Sequence, residues 1–138
     1  MRVTKMHGLG NDYIYIRPRE ERDWADIARR VSDRHFGIGA DGLILALPSE
    51  IADLRMRIFN ADGSEAEMCG NGIRCLARFA DEEGMVDPDA ESITIETLAG
   101  VLTLQLFRDE GVVMAARVDM GAPRFDPKDL PANVAGPG

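Results

Sequence analysis

Apolar residues recur along this chain with two periods, and each period predicts its own kind of element. "RVTKMHG" (2–8) and "DYIYI" (12–16) read as two short strands around the glycine turn at Gly8–Gly10. Asp23 is placed to cap a helix from Trp24 to about His35. Its apolar Trp24, Ile27, Ala28 and Val31 fall at i, i+3, i+4 and i+7, one buried stripe. "GLILAL" (42–47) is a continuous apolar run of strand length. "LRMRIF" (54–59) alternates, with Leu54, Met56 and Ile58 inward and Arg55 and Arg57 outward.

"NADGSE" (60–65) is a turn, with Asp62-Gly63 as the tight hairpin signal. "EAEM" (65–68) is a short strand feeding a Cys-Gly-Asn-Gly sequence and a second helix, "IRCLARFADEEG" (73–84). Three strand signals follow: "SITIET", "GVLTLQLF" and "VVMAARVDM", joined through "LAG" and "RDEG", both of hairpin length. Strands outnumber helices and the links are too short for crossovers. The expectation is an α+β domain with a mixed to antiparallel sheet. Residues 119–138 are rich in Pro and Gly and have no periodicity, so they read as a linker or boundary after a folded unit at 1–118.

Composition narrows the function classes. The chain has 138 residues, enough for one core and not for two. A net charge of -8 argues against a nucleic-acid or anionic-membrane partner, which calls for a basic stripe. No apolar run approaches the roughly 20 residues of a membrane span. Two cysteines are too few for a secreted disulfide framework, and "MRVTKMHGLGND" lacks the apolar core of a signal peptide. The expected setting is the cytoplasm, with both cysteines as thiols.

Those thiols differ in position. Cys69 stands where the second helix begins, and a helix N-terminus leaves N–H groups unpaired and carries about half a positive charge. A thiol in such a place is stabilised as thiolate. Gly70 and Gly72 would allow turns with φ > 0 and close approach of a ligand, whose carboxylate the same N–H groups would bind. A lone cysteine is more often inert packing. Here the Gly-Asn-Gly that follows it favours a site, because a core cysteine has no use for a flexible polar turn. Cys75 lies inside the helix and reads as packing. A zinc site from Cys69, Cys75, His7 and His35 lacks the ligand spacing of known centres, so no metal is expected. Both histidines flank glycine turns and read as loop hydrogen-bonders.

Asn11, after "HGLG", and Asn60, at the end of "LRMRIF", are amides at strand ends beside glycine turns. Each is suited to an amino-acid ligand, but taken singly each is more often a turn former through its own backbone bonds. Asn71 shares that ambiguity. Their coincidence with Cys69 favours binding.

The segments "KMHGLGNDY", "GIGADGLI", "FNADGSEAEMCGNGIRC" and "DMGAPRF" resemble, in order from residue 4 to about 125, the N-terminal half of the diaminopimelate epimerases. The third is long and highly specific. The resemblance implies a mixed sheet wrapped around a central helix, in one of two similar domains that face each other across a cleft. It implies cofactor-independent conversion of LL- to meso-diaminopimelate, a step towards lysine and peptidoglycan precursors. One thiolate removes the Cα proton and an opposite thiol reprotonates the other face. By motif, Cys69 is similar to the first catalytic cysteine, and Asn11, Asn60, Gly70 and Asn71 match substrate-binding positions. A homodimer at full length is also implied.

Two departures stand out. Some members have glutamine where this chain has Gly42, so one polar substrate contact is expected to be absent or replaced here. The segment with the family's second cysteine motif is not in this sequence, so a C-terminal epimerase domain is expected as a partner. Cys75 cannot replace that thiol. Six helical residues span about 9 Å and turn its side chain about 240° away from that of Cys69. Two rivals are another two-thiol racemase, of histidine or proline type, and a catalytically incomplete half kept as a binding domain.

Overall fold

A computed structural model describes residues 2–8 and 10–119. Its elements are β1 (Thr4–Gly8), β2 (Asn11–Ile16), α1 (Trp24–Ser32), β3 (Gly42–Leu47) and β4 (Leu54–Asn60). After them come β5 (Glu65–Ala66), α2 (Gly70–Glu82), β6 (Ser92–Thr97), β7 (Gly100–Asp109) and β8 (Val112–Asp119). The proposed linker lies outside the described residues, apart from Asp119 at the end of β8.

The strands form one sheet in the order β1-β2-β3-β4-β6-β7-β8, with β5 hydrogen-bonded to β4. The expected α+β class and mixed sheet are what the fold has. The expectation that no link is a crossover is corrected. β2/β3 and β4/β6 are parallel pairs, and α1 and the β5–α2 segment carry the chain between them. The two late links are hairpins. Glu110 (φ 52) and Gly111 (φ 80) take left-handed values at both central positions of the last one, a twist that suits a two-residue β-turn.

α2 packs across the concave face. Its Ile73, Leu76, Ala77 and Ala80, spaced i, i+3, i+4, i+7, are fully buried. They meet Tyr15, Ile44, Met56, Ile58, Ile93, Ile95 and Leu104 in one cluster. The helix touches both β1 and β8, the two ends of the strand order, so the sheet curls around it as a half-barrel. α1 covers the other face of β2–β4 only, where Trp24 and Ala28 pack on Ile14, Ile16, Leu43, Leu45 and Phe59. Covered on both faces, β2 and β3 read as near-continuous apolar runs. On the uncovered face of β7 and β8, Val101, Phe107, Val112 and Met114 are exposed.

α1 stops at Ser32, short of the expected end at His35. Asp33 causes this: its carboxylate accepts the N–H groups of His35 and Phe36 at 2.8 and 3.0 Å. That local bonding competes with helix continuation. Gly39, at φ 85, then donates its N–H back to the Val31 carbonyl. Among the described residues no helix is long and apolar enough to cross a membrane.

Candidate active site

Strand register assembles the site at the end of the concave face where α2 begins. Tyr13 of β2 pairs with Gly42 of β3, which pairs with Asn60 of β4. Side chains alternate across a sheet. Since Tyr13, Tyr15, Ile44, Met56 and Ile58 pack on the α2 side, Asn11, Gly42 and Asn60 occupy the same face by parity. This row closes the apolar floor beneath the helix with polar groups.

Cys69 is the N-cap of α2, in extended backbone (φ -138, ψ 117). Its carbonyl accepts the Ile73 N–H at 2.8 Å, but its side chain makes no capping bond. The sulfur is therefore not used as a cap; it is half-buried and accepts the Tyr13 O–H at 3.4 Å. No acidic residue stands in the first turn of α2, so its free N–H groups keep their pull on an anion.

The two glycines after Cys69 act differently from expectation. Neither has a positive φ, because Gly-Asn-Gly is the first helical turn itself and not a loop before it. Gly72 is required by size: a Cβ there would come within 2.7 Å of Ile44 Cδ1. Its carbonyl also accepts the buried Tyr15 hydroxyl at 2.9 Å. A Cβ on Gly70 would meet nothing within 4 Å. Gly70 is the open side of the turn.

Asn71 and Asn11, sixty positions apart, come together. Asn71 Nδ2 donates to Asn11 Oδ1 at 3.1 Å, and Asn11 Nδ2 donates to Asp41 Oδ2 at 3.4 Å. Since a carboxylate can only accept, Asp41 fixes which way the Asn11 amide points, and Asn11 in turn orients Asn71. Asp41 is anchored by the Asp12 N–H at 3.0 Å and by Arg34 at 3.2 Å. Arg34 also clamps the buried Asp12 carboxylate through two nitrogens at 2.9 and 3.2 Å, with Lys5 at 3.4 Å. The Arg34 hydrogen bonds hold the Asp12 carboxyl far below its usual range, against the upward push of burial.

Asn60 is less committed to the site than the other two. Its amide donates to Ser64 Oγ at 3.0 Å within its own hairpin. It joins the constellation through register alone. On this backbone Gly42 has no room for a side chain, because a Cβ would collide with the Phe59 carbonyl. Cys75 sits in the body of α2, its sulfur 3.5 Å from the His7 carbonyl, and burial pushes its thiol up. His7 lies in β1, inside the strand expected over 2–8 and so not a loop hydrogen-bonder, while His35 is in the turn after α1. No group of three His, Cys, Asp or Glu suited to a metal occurs among the described residues.

Tyr13, Asp12, Arg34 and Asp41 were not singled out from the sequence. One signal was available for Asp12, a charge placed by alternation on the α1 side of an otherwise apolar strand.

This half-barrel around one helix defines a class of fold also seen in other solved structures. A Bacillus anthracis phenazine biosynthesis protein of the PhzF family matches with a TM-score of 0.60 at 28% identity, over 80% of this chain and 37% of that one. A probable proline racemase from Agrobacterium radiobacter matches at 0.68 and 19% identity, over 84% and 40%. Within that class the chain belongs to the diaminopimelate epimerase family, whose model matches residues 3–125. Relatives named diaminopimelate epimerase include one from Caldanaerobacter subterraneus, 54% identical over 95% of this chain and 47% of that protein. Another, from Moorella thermoacetica, is 53% identical over 100% of this chain and 49% of that protein. The chain spans about half the length of these curated relatives.

Proposed function

We propose that this chain is the first of two domains of a cofactor-independent diaminopimelate epimerase, with Cys69 as one of its two thiols. The observation that carries this reading is the Cys69 sulfur. It stands at the head of α2, free of any capping bond, beside the unpaired N–H groups of the Gly70–Asn71 turn.

Removing a Cα proton without an electron sink builds negative charge on the substrate carboxylate. Fixed N–H groups and a helix dipole in a closed site offset that cost. On this reading the first turn of α2 receives the carboxylate, while Asn11, Asn60 and Asn71 hold the amino-acid end of diaminopimelate by neutral hydrogen bonds. Gly70 leaves room for it. The Cys69 thiolate takes the Cα proton on one face and a thiol from a C-terminal domain returns one on the other, so the reverse reaction exchanges their roles. The product would serve lysine and peptidoglycan precursor synthesis. We further propose a reducing cytoplasmic setting, consistent with the two free cysteines, and a homodimer of the two-domain protein, on the family resemblance.

The test follows meso-diaminopimelate formed from the LL-isomer. The 138-residue chain by itself should give no enzymatic turnover, because inversion needs a base and an acid on opposite faces of Cα. Turnover should appear on adding the C-terminal half of a two-domain relative, and should vanish when the chain carries Cys69→Ala. Substantial turnover by the chain alone, or by the Cys69→Ala mixture, would overturn the two-thiol reading.

A further inference from the structure

Two tyrosines of β2 face α2, and the structure gives their hydroxyls different tasks. Tyr15, 1% exposed, donates to the Gly72 carbonyl and so ties the helix to the sheet. Tyr13, 8% exposed and one step nearer the mouth, directs its hydroxyl to the Cys69 sulfur instead. The glycine beside it clears its path: Tyr13 Cε1 lies 3.2 Å from where a Cβ on Gly42 would stand. The ring thus fills the space that a side chain at position 42 would take.

We infer that Tyr13 is a further catalytic residue of the epimerase reading above, on which this inference rests, and that its hydroxyl stabilises Cys69 in both of its states. When the sulfur is a thiolate, the phenol O–H donates to it. When the sulfur has taken the Cα proton, the hydroxyl rotates and accepts the S–H. Tyr13 gives up no proton in either state; the proton that moves is the one between Cα and sulfur. Burial, and then the adjacent sulfur, push the phenol up, which keeps its O–H available as a donor.

The surrounding charges leave this task to Tyr13 and the helix. The titratable groups acting on the pair are Asp12 and Asp41, Tyr15 on β2, and Cys75 within α2. Of the cations nearby, Arg34 binds Asp12 and Asp41, Lys5 binds Asp12, and Arg74 on α2 donates to Asn71 Oδ1 at 3.5 Å. Among the described residues no cation is hydrogen-bonded to the sulfur. The Tyr13 O–H and the first-turn N–H groups are the donors left to offset its charge.

The experiment uses the chain with Cys75→Ala, so that iodoacetamide labelling reports Cys69 alone, across roughly pH 6 to 10. Tyr13→Phe should move the labelling profile about one pH unit higher, about tenfold slower at its foot, with the thermal midpoint unchanged. Superimposable profiles from a folded Tyr13→Phe chain would overturn the inference. If that variant fails to fold, 3-fluorotyrosine at position 13, a stronger donor, should move the profile lower, and no movement would again overturn it. The labelling needs no substrate. Loss of the epimerase reading, seen as turnover surviving Cys69→Ala in the mixture, is therefore a separate outcome.

Discussion

Helix α2 has one cysteine at its N-cap and one in its body, and the two places surround a thiol differently. At the first turn, Cys69 has an extended backbone, a free sulfur and a phenol donor, with Gly70 open beside it. Less than two turns further on, Cys75 packs beside the core, and burial disfavours its charged form. The residue type and the helix are the same. The difference comes from which backbone groups are unpaired and which side chains the sheet aims at that point. A helix terminus supplies N–H groups that its interior has already spent on hydrogen bonds, and parity along β2 and β4 delivers Tyr13, Asn11 and Asn60 to that terminus and not to the body.

The contrast can be broken most forcefully in the body. Leu76 is fully buried in the cluster beneath α2. Leu76→Ala should cost about 3 kcal/mol of stability, from lost transfer free energy plus the cavity left behind, measured by urea unfolding. If the two regions are separable, the pH profile of Cys69 labelling should stay where it is in the variant, measured well below its unfolding midpoint. A profile displaced along with stability would mean that core packing, and not the helix terminus, sets the thiol's reactivity.

Gly72 sits on the boundary between the regions. An added Cβ would press on Ile44 Cδ1 at 2.7 Å and stand 3.6 Å from the Cys69 sulfur. Ile44 is fully buried and has little freedom to yield. Gly72→Ala should therefore lower stability by about 1 kcal/mol, overpacking outweighing the better helix propensity of alanine. It should also disturb Cys69 labelling, which Leu76→Ala should not. A stabilised variant with normal labelling would show that the motif's second glycine is not needed for packing.

Much of this division was legible in the order of residues, because helix caps and strand alternation are local. "GLILAL" and "SITIET" coincide with β3 and β6, and the alternation of "LRMRIF" matches the burial of Leu54, Met56 and Ile58. The position of Cys69 ahead of α2 was legible for the same reason. What stayed hidden was non-local. Nothing within a dozen residues of Asn71 announces Asn11, and the Asp12–Arg34–Asp41 cluster joins three segments through a parallel β2/β3 pairing. Register between distant strands depends on crossover geometry, which periodicity does not encode. The end of α1 was misplaced for a local reason, since one carboxylate at Asp33 captured N–H groups that a continuing helix would have used.

The smallest expected change in stability is at Gly70, and it separates the regions most finely. The position is helical, has no positive φ, and a Cβ there meets nothing within 4 Å. For the fold, Gly70→Ala is then harmless: reduced freedom of the unfolded chain should raise stability by about 0.5 kcal/mol. For the proposed site it is not harmless, because the space that the methyl would enter is the space left for a ligand against the first-turn N–H groups. In the mixture with a C-terminal half, Gly70→Ala should therefore weaken diaminopimelate turnover by about 1–2 kcal/mol of transition-state stabilisation, a loss of roughly five- to thirtyfold in kcat/KM. Unfolding and turnover measured on the same preparation decide the matter. A variant that is slightly more stable and clearly slower assigns the open side of this turn to substrate. Full turnover at raised stability would leave Gly70 with no part in binding, and would confine the site to the sulfur and the asparagines.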